Sequence, residues 1–403
     1  MIHVAIPAMN EAGYLPRTIE CLLSQSVEDF SLWVCVNQPD SWWNNPGKIE
    51  VCENNRQTIN YLGGLDMPRL HLLDHSSPGK GWTEKAQGVG HARKRLMDEI
   101  SRHGSAGDIM VSLDADTLFG KQFLESVEKV FARHPRAVAL SNPYRHPLTG
   151  DSRLDRAMLR YEIYMRYYVV NLWRIASPYS FTALGSAISL PLDSYRRIGG
   201  LTPKKSGEDF YFLQKLRKCG WVCTHNESKV YPGTRYSDRV FFGTGPALIR
   251  GSREDWSSYP LYRHQWFDQV KATCDLFPRL YAGPLDTPMT AFLQRTFGCH
   301  DPFSGLRENA ASASSFVRAC HQRIDGLRIL QYLKEQSRLH PCSDEDSLRD
   351  FLNLFHAGRL EEARLSPEEM SLLEFSASSI DVLNKIRILL ESIESAYQKN
   401  DCP

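Results

Sequence analysis

The sequence predicts an α/β protein in which a mixed-sheet domain over residues 1–260 is followed by a helical C-terminal subdomain over 261–403. Three observations predict it. Up to roughly residue 250, short β-branched runs alternate with longer helical patterns, the form taken by a largely parallel sheet with crossover helices. Beyond about residue 262 the strand signals stop, and apolar residues recur at the helical period between Pro, Gly and Ser clusters. The length of 403 residues exceeds what one compact core usually organises.

Taken in order, the first strand is expected at 2–7. Met1-Ile2-His3-Val4-Ala5-Ile6-Pro7 lacks the basic region and long apolar stretch of a secretion signal. A helix over 13–25 leads to strands at 31–37 and 69–73. A long helix over 82–101 precedes a strand at 108–113, a helix at 120–133, a strand at 137–141 and a helix at 153–176. The most apolar long stretch, Tyr167 to Leu190, is interrupted by Asn171, Arg174 and Pro178, so no membrane-spanning helix is expected. Tyr164, Tyr167, Tyr168 and Trp173 stand mostly at helical spacing, which predicts packing against the sheet and leaves some rings for an acceptor platform. A strand at 186–190 and helices at 191–198 and 208–218 complete the first domain. In the tail, Ile324–Leu339 and Pro367–Tyr397 are the clearest helices.

Composition narrows the class. With 42% hydrophobic and 24% charged residues, collagenous, coiled-coil-only and disordered readings are excluded. A formal charge of +1 supplies no global field for nucleic acid or acidic membranes, so any anion must be held locally. The ten cysteines include no C-x-x-C pair, and Cys219 and Cys223 have no second pair to complete a zinc site. Buried thiols and a cytoplasmic location are expected.

Three segments carry chemistry. The first strand runs into Pro7-Ala8-Met9-Asn10-Glu11, and a loop leaving the carboxyl end of a parallel strand is where open α/β sheets place ligands. The Asn10 amide and Glu11 carboxylate suit a nucleobase or ribose; alternatively Asn10 caps the next helix. The fourth strand runs into Asp114-Ala115-Asp116-Thr117, and alternation along an extended segment puts both carboxylates on one side. Two carboxylates that close repel unless a proton or a cation intervenes. A hard divalent ion held by them together with substrate phosphates answers this. Downstream, Glu208 and Asp209 open a helix: they either complement its dipole or supply a general base for an acceptor hydroxyl.

The order Pro7 to Glu11, Gly88-Val89-Gly90-His91-Ala92-Arg93, Asp114-Ala115-Asp116, Gly199-Gly200-Leu201 and Gly207-Glu208-Asp209 resembles the GT-A type glycosyltransferases of family 2, over about residues 1–250. Ala183-Leu184-Gly185-Ser186 and Ser237 to Gly245 look closest to an uncharacterised bacterial subgroup. The resemblance implies a GT-A, Rossmann-like fold and a nucleotide-diphospho-sugar donor across the strand ends. Pro7, Asn10, Glu11, Asn37, Lys80, Arg93, Asp114 and Arg239 would lie on the donor side. Asp114 would contact ribose or metal, Asp116 would hold Mg²⁺ or Mn²⁺ on the diphosphate, and Asp209, beside Glu208, would be the base. Displacement at the anomeric carbon with inversion is expected, through an oxocarbenium-like transition state.

The pattern departs from the family at two places. The second strand ends Asn37-Gln38-Pro39-Asp40 where paired aspartates are usual, and Pro78-Gly79-Lys80-Gly81 resembles a lysine loop of some retaining enzymes. Lys80 in its Gly-rich loop suits a phosphate or is a solvated lysine. Arg93 lies inside the helix expected at 82–101 with Lys85 two turns earlier, so both face the donor or form an ordinary basic face. Tyr231 to Gly245, with Arg235 and Arg239, suits a loop closing over the diphosphate. His225 is a conceivable third metal ligand, and Trp42 and Trp43 are expected to be exposed. The competing readings are a nucleotidyltransferase, whose Gly-rich Arg/Lys loop is missing after Pro7, and a non-catalytic nucleotide-sugar-binding module. The acceptor and the oligomeric state stay open, and weak apolar contact with the inner membrane is compatible with the tail's mixed charge.

Overall fold

The computed structural model describes residues 1–204, 206–239 and 243–401. It divides into two compact units, one holding Met1–Met158, Ala183–Arg253 and the chain from Gln398, the other Leu159–Thr182 and Glu254–Tyr397.

In the first unit the strands are β1 (Ile2–Ala8), β2 (Phe30–Asn37), β3 (Leu70–His75), β4 (Ile109–Ser112), β5 (Leu118–Phe119), β6 (Ala137–Ser141), β7 (Ile188–Pro191), β8 (Trp221–Cys223) and β9 (Val230–Tyr231). The helices are α1 (Leu15–Leu23), α2 (Ile49–Gly63), α3 (Val89–His103), α4 (Phe123–Arg133), α5 (Ser152–Arg174), along which the division between units falls, α6 (Leu192–Arg197), α7 (Glu208–Cys219) and α8 (Thr244–Gly251). Seven strands form one sheet in the order β3-β2-β1-β4-β7-β6-β8, parallel except that β7 runs against β4 and β6. Every residue of β1 and β2 is buried, as expected of central strands covered on both faces. The expected mixed α/β sheet is therefore present. A separate two-stranded ribbon pairs β5 with β9, Leu118 opposite Tyr231 and Phe119 opposite Val230.

Several boundaries differ from the sequence expectation. The helix expected from residue 82 begins at Val89 because Gly88 takes φ 101°, a conformation that ends a helix and suits only glycine. Lys85 is thus off the helix that carries Arg93. Helix α2 was not expected: its buried positions Cys52, Asn55, Thr58 and Leu62 recur at helical spacing, but two are polar. β5, β8 and β9 are too short to show a periodicity. Residues 240–242 of the segment Ser237 to Gly245, and Cys402, lie outside the described residues; the other nine cysteines are thiols.

The second unit is helical among the described residues. Ile324–Leu339 appears as Gly326–Leu339, started by the Asp325 side chain accepting from the Arg328 N–H. The helix expected over 367–397 is two, Pro367–Ser371 and Ile380–Asn400, because Ser379 Oγ accepts from the Val382 N–H at 3.2 Å and starts a new helix. The α5 tyrosines meet aromatic rings of the helical unit. Tyr161 and Tyr164 pack edge-on to Tyr259, Tyr167 meets Phe351 and Tyr168 meets Phe267, so this stretch is core of the helical unit. No helix of the described residues is long and apolar enough to cross a membrane.

Candidate active site

β1 and β4 are neighbours in the sheet, so the loops leaving their carboxyl ends emerge side by side. Asp114 to Thr117 is a turn rather than an extended segment: the Thr117 N–H donates to the Asp114 carbonyl at 3.2 Å. Thr18 of α1 holds the same turn by donating from Oγ1 to the Ala115 carbonyl at 2.8 Å. The turn sends Asp114 and Asp116 to different guanidinium groups, which corrects the expectation that both share one side of a strand.

The inner group is Arg93, 1% exposed. Its Nη2 donates to Asp114 Oδ1 at 2.9 Å, Nε to Glu208 Oε1 at 3.2 Å, and Nη1 to the Gly185 carbonyl at 2.9 Å and to Ser112 Oγ. Close backbone approach makes this possible: a β-carbon on Gly185 would lie 2.3 Å from Arg93 Nη2, and one on Gly90 would lie 2.1 Å from the Lys204 carbonyl oxygen. A guanidinium withdrawn from water needs such pairing. Arg93 is thus committed to internal partners: it orients Asp114, whose side chain is 38% exposed, and fixes Glu208, whose side chain is 5% exposed.

Asp209, at the start of α7, accepts from the Gly185 N–H through Oδ2 at 3.0 Å and from the Phe210 N–H through Oδ1 at 2.7 Å. Burial, then the neighbouring Glu208 charge, pushes its carboxyl up to about 7 against the pull of Arg93. Such a group gains and loses a proton near neutrality, the property a general base requires.

The outer group is organised by Arg235, four residues beyond β9. Its Nη2 donates to Glu11 Oε1 at 2.5 Å and its Nε to Asp116 Oδ2 at 2.8 Å, while its guanidinium lies 4.2 Å from the centroid of the Tyr14 ring. Gly233 is packed so closely that an added β-carbon would lie 2.8 Å from Asp116 Oδ2. Arg239 donates to the Met9 carbonyl at 2.6 Å and to Glu11 Oε1. Burial raises the Glu11 carboxyl above its ordinary range, opposed by Arg239 and Arg235.

At the other strand ends, Asn37 is buried; its Nδ2 donates to the Ala8 carbonyl at 3.1 Å and its Oδ1 has no partner among the described residues. Pro7 is buried within β1 opposite Cys35. Asn10 is exposed at φ 61°, its N–H donating to Asn55 Oδ1 at 2.8 Å. The residue preceding α1 is Tyr14, so Asn10 does not cap that helix. Lys80 pairs with Asp74 at 3.0 Å. Asp40 accepts from the Gly79 and Gly81 N–H groups, closing that loop. Trp43 donates to the Ser76 carbonyl, and both Trp42 and Trp43 are half-buried rather than exposed. His225 has Lys399, Glu227, Arg133 and His134 as charged neighbours, none of them a site residue.

Asp114 and Asp116 each give one oxygen to an arginine, leaving Asp114 Oδ2 and Asp116 Oδ1 as hard donors suited to Mg²⁺ or Mn²⁺. Among the described residues no three His, Cys, Asp or Glu side chains form a cluster able to hold a cation alone. A cation held by either oxygen would take the rest of its ligands from phosphate oxygens and water. Sequence reasoning missed Arg235 as the bridge, Gly185 as the shared backbone anchor and Asn55 as the support of Asn10; only the glycine-and-arginine composition of 231–245 signalled the first.

No protein-family model and no curated protein matches the chain. Solved structures similar to it include S. aureus TarS 1-349 in complex with UDP-GlcNAc, at 12% identity and TM-score 0.41, covering 84% of this chain and 91% of that one. The same protein in complex with UDP shows 13% identity and TM-score 0.36, covering 99% and 92%. Mannosyltransferase PcManGT from Pyrobaculum calidifontis in complex with GDP-Man and Mn²⁺ shows 14% identity and TM-score 0.38, covering 99% and 87%.

Proposed function

We propose that the chain is a metal-dependent glycosyltransferase that moves a sugar from a nucleotide-diphospho-sugar to an acceptor hydroxyl with inversion. The observation that carries this reading is a shared anchor: Asp209 accepts from the Gly185 N–H, while Arg93, which orients the half-buried Asp114, donates to the Gly185 carbonyl. In this reading the acceptor oxygen attacks the anomeric carbon as Asp209 takes its proton, and the bond to the diphosphate breaks on the opposite face. A divalent cation at Asp114 and Asp116, when bound, would stabilise the negative charge of the departing diphosphate. Glu208 and Arg93 are positioning residues: both are buried, and their ion pair fixes where Asp114 points. The unpartnered Oδ1 of Asn37, at the end of β2, suits an N–H of the nucleobase.

The test is release of nucleoside diphosphate from UDP- and GDP-sugars with Mn²⁺. Wild type is expected to turn over, and Asp209→Asn to lose about 10²-fold or more in kcat, as for other displaced general bases. Full activity in Asp209→Asn would remove that residue from the mechanism.

A further inference from the structure

We propose that Arg235 is a displaceable internal counter-ion of the metal site: its guanidinium and a divalent cation compete for the carboxylate of Asp116. The inference rests on the transferase reading of that site. Arg235 Nε holds Asp116 Oδ2 at 2.8 Å, and Gly233 brings the segment against the same oxygen. A divalent ion arriving at Asp116 meets a fixed positive charge on one side of its ligand.

The rest of the constellation lets Arg235 leave. Glu11 is 4% exposed and its Oε1 is held by two guanidiniums, Arg235 and Arg239. When Arg235 withdraws, Arg239 still compensates the buried carboxylate, so departure does not strand a charge. The local balance is even: Glu11 and Asp116 carry two negative charges against two positive ones. A cation entering this balance ejects a positive group, and the ejected guanidinium, a planar fork, matches the phosphates that accompany the cation. Metal and donor binding are thereby coupled through one side chain.

The test is a Mn²⁺ titration of the full chain, without nucleotide, read by the electron paramagnetic resonance signal of aqueous Mn²⁺. A charge within ~4–6 Å changes a carboxylate's affinity for a proton by at least about tenfold, and a competing divalent ion is expected to feel as much. Arg235→Gln should therefore bind Mn²⁺ at least about tenfold more tightly than wild type, and adding Asp116→Asn should abolish the gain. Arg239→Gln, which removes an equal charge from Glu11 alone, should change the affinity far less. Tightening is an outcome that mere loss of structure does not produce. Unchanged or weaker binding in Arg235→Gln overturns the proposal. A second measurement uses the unaltered chain: Mn²⁺ should increase modification of Arg235 by phenylglyoxal, mapped by peptide mass spectrometry, and unchanged or reduced modification counts against it. Absence of Mn²⁺ binding in every variant also overturns it, whereas nucleoside diphosphate release without metal would keep the transferase reading and remove its metal dependence.

Discussion

Replacing Arg93 by methionine separates its role in holding the site from any role in binding a donor. The substitution leaves Glu208, with a side chain 5% exposed, without its countercharge, while Asp114, at 38%, turns to water. Breaking a buried pair by removing one partner costs about 3–5 kcal/mol, against a typical total stability of about 5–15 kcal/mol. The double variant Arg93→Met/Glu208→Met removes both charges, and such apolar replacement is near neutral in other buried pairs. Ser112 Oγ and the Gly185 carbonyl, both partners of Arg93, already bond each other at 2.8 Å, so neither is abandoned. Equilibrium urea unfolding, followed by far-ultraviolet circular dichroism, should show the single variant destabilised by about 3–5 kcal/mol and most of that recovered in the double. Turnover should stay low in both, because Asp114 loses its anchor either way. A single-variant loss under about 1 kcal/mol, or a double no more stable than the single, would refute the reasoning.

Other perturbations follow from the same geometry. Asp209 must be ionised to act, so kcat/KM should fall as pH drops through about 7, and Glu208→Gln, removing a negative neighbour, should move that limb to lower pH. The folded carboxyl titrates above the unfolded one, so between the two values the native state binds more protons and stability falls as pH rises. Asp209→Asn should flatten that slope in denaturation measured from pH 4 to 8. Gly185→Ala places a β-carbon 2.3 Å from Arg93 Nη2, and should lower both stability and turnover. Gly90→Ala places one 2.1 Å from the Lys204 carbonyl; a cost of about 1–3 kcal/mol in thermal unfolding is expected, and an unchanged Tm would show that the loop yields freely.

The central strands were readable from the sequence because a continuous apolar run is a local pattern, and Asp114, Asp116, Glu208 and Asp209 drew notice as acidic residues at an element's end. What was illegible depends on partners distant in sequence. Arg93 reads as part of a basic helical face, yet its partners lie 21 and 115 residues away, and only the fold shows that it is buried. Helix α2 escaped notice because Asn55 and Thr58 occupy its buried face as polar residues, Asn55 serving the loop at Asn10. The α5 tyrosines carried a correct helical period, but periodicity states that a face is covered and not what covers it.

The small ribbon of β5 and β9 sets how far the outer arginine can travel. It fastens the chain two residues after Asp116 and again four residues before Arg235, so a leash of four residues spans at most about 13–14 Å when fully stretched. Any opening over the strand ends is then a short local swing about a fixed hem, and lengthening the leash by inserted glycines should loosen the timing of that swing without moving the hem itself.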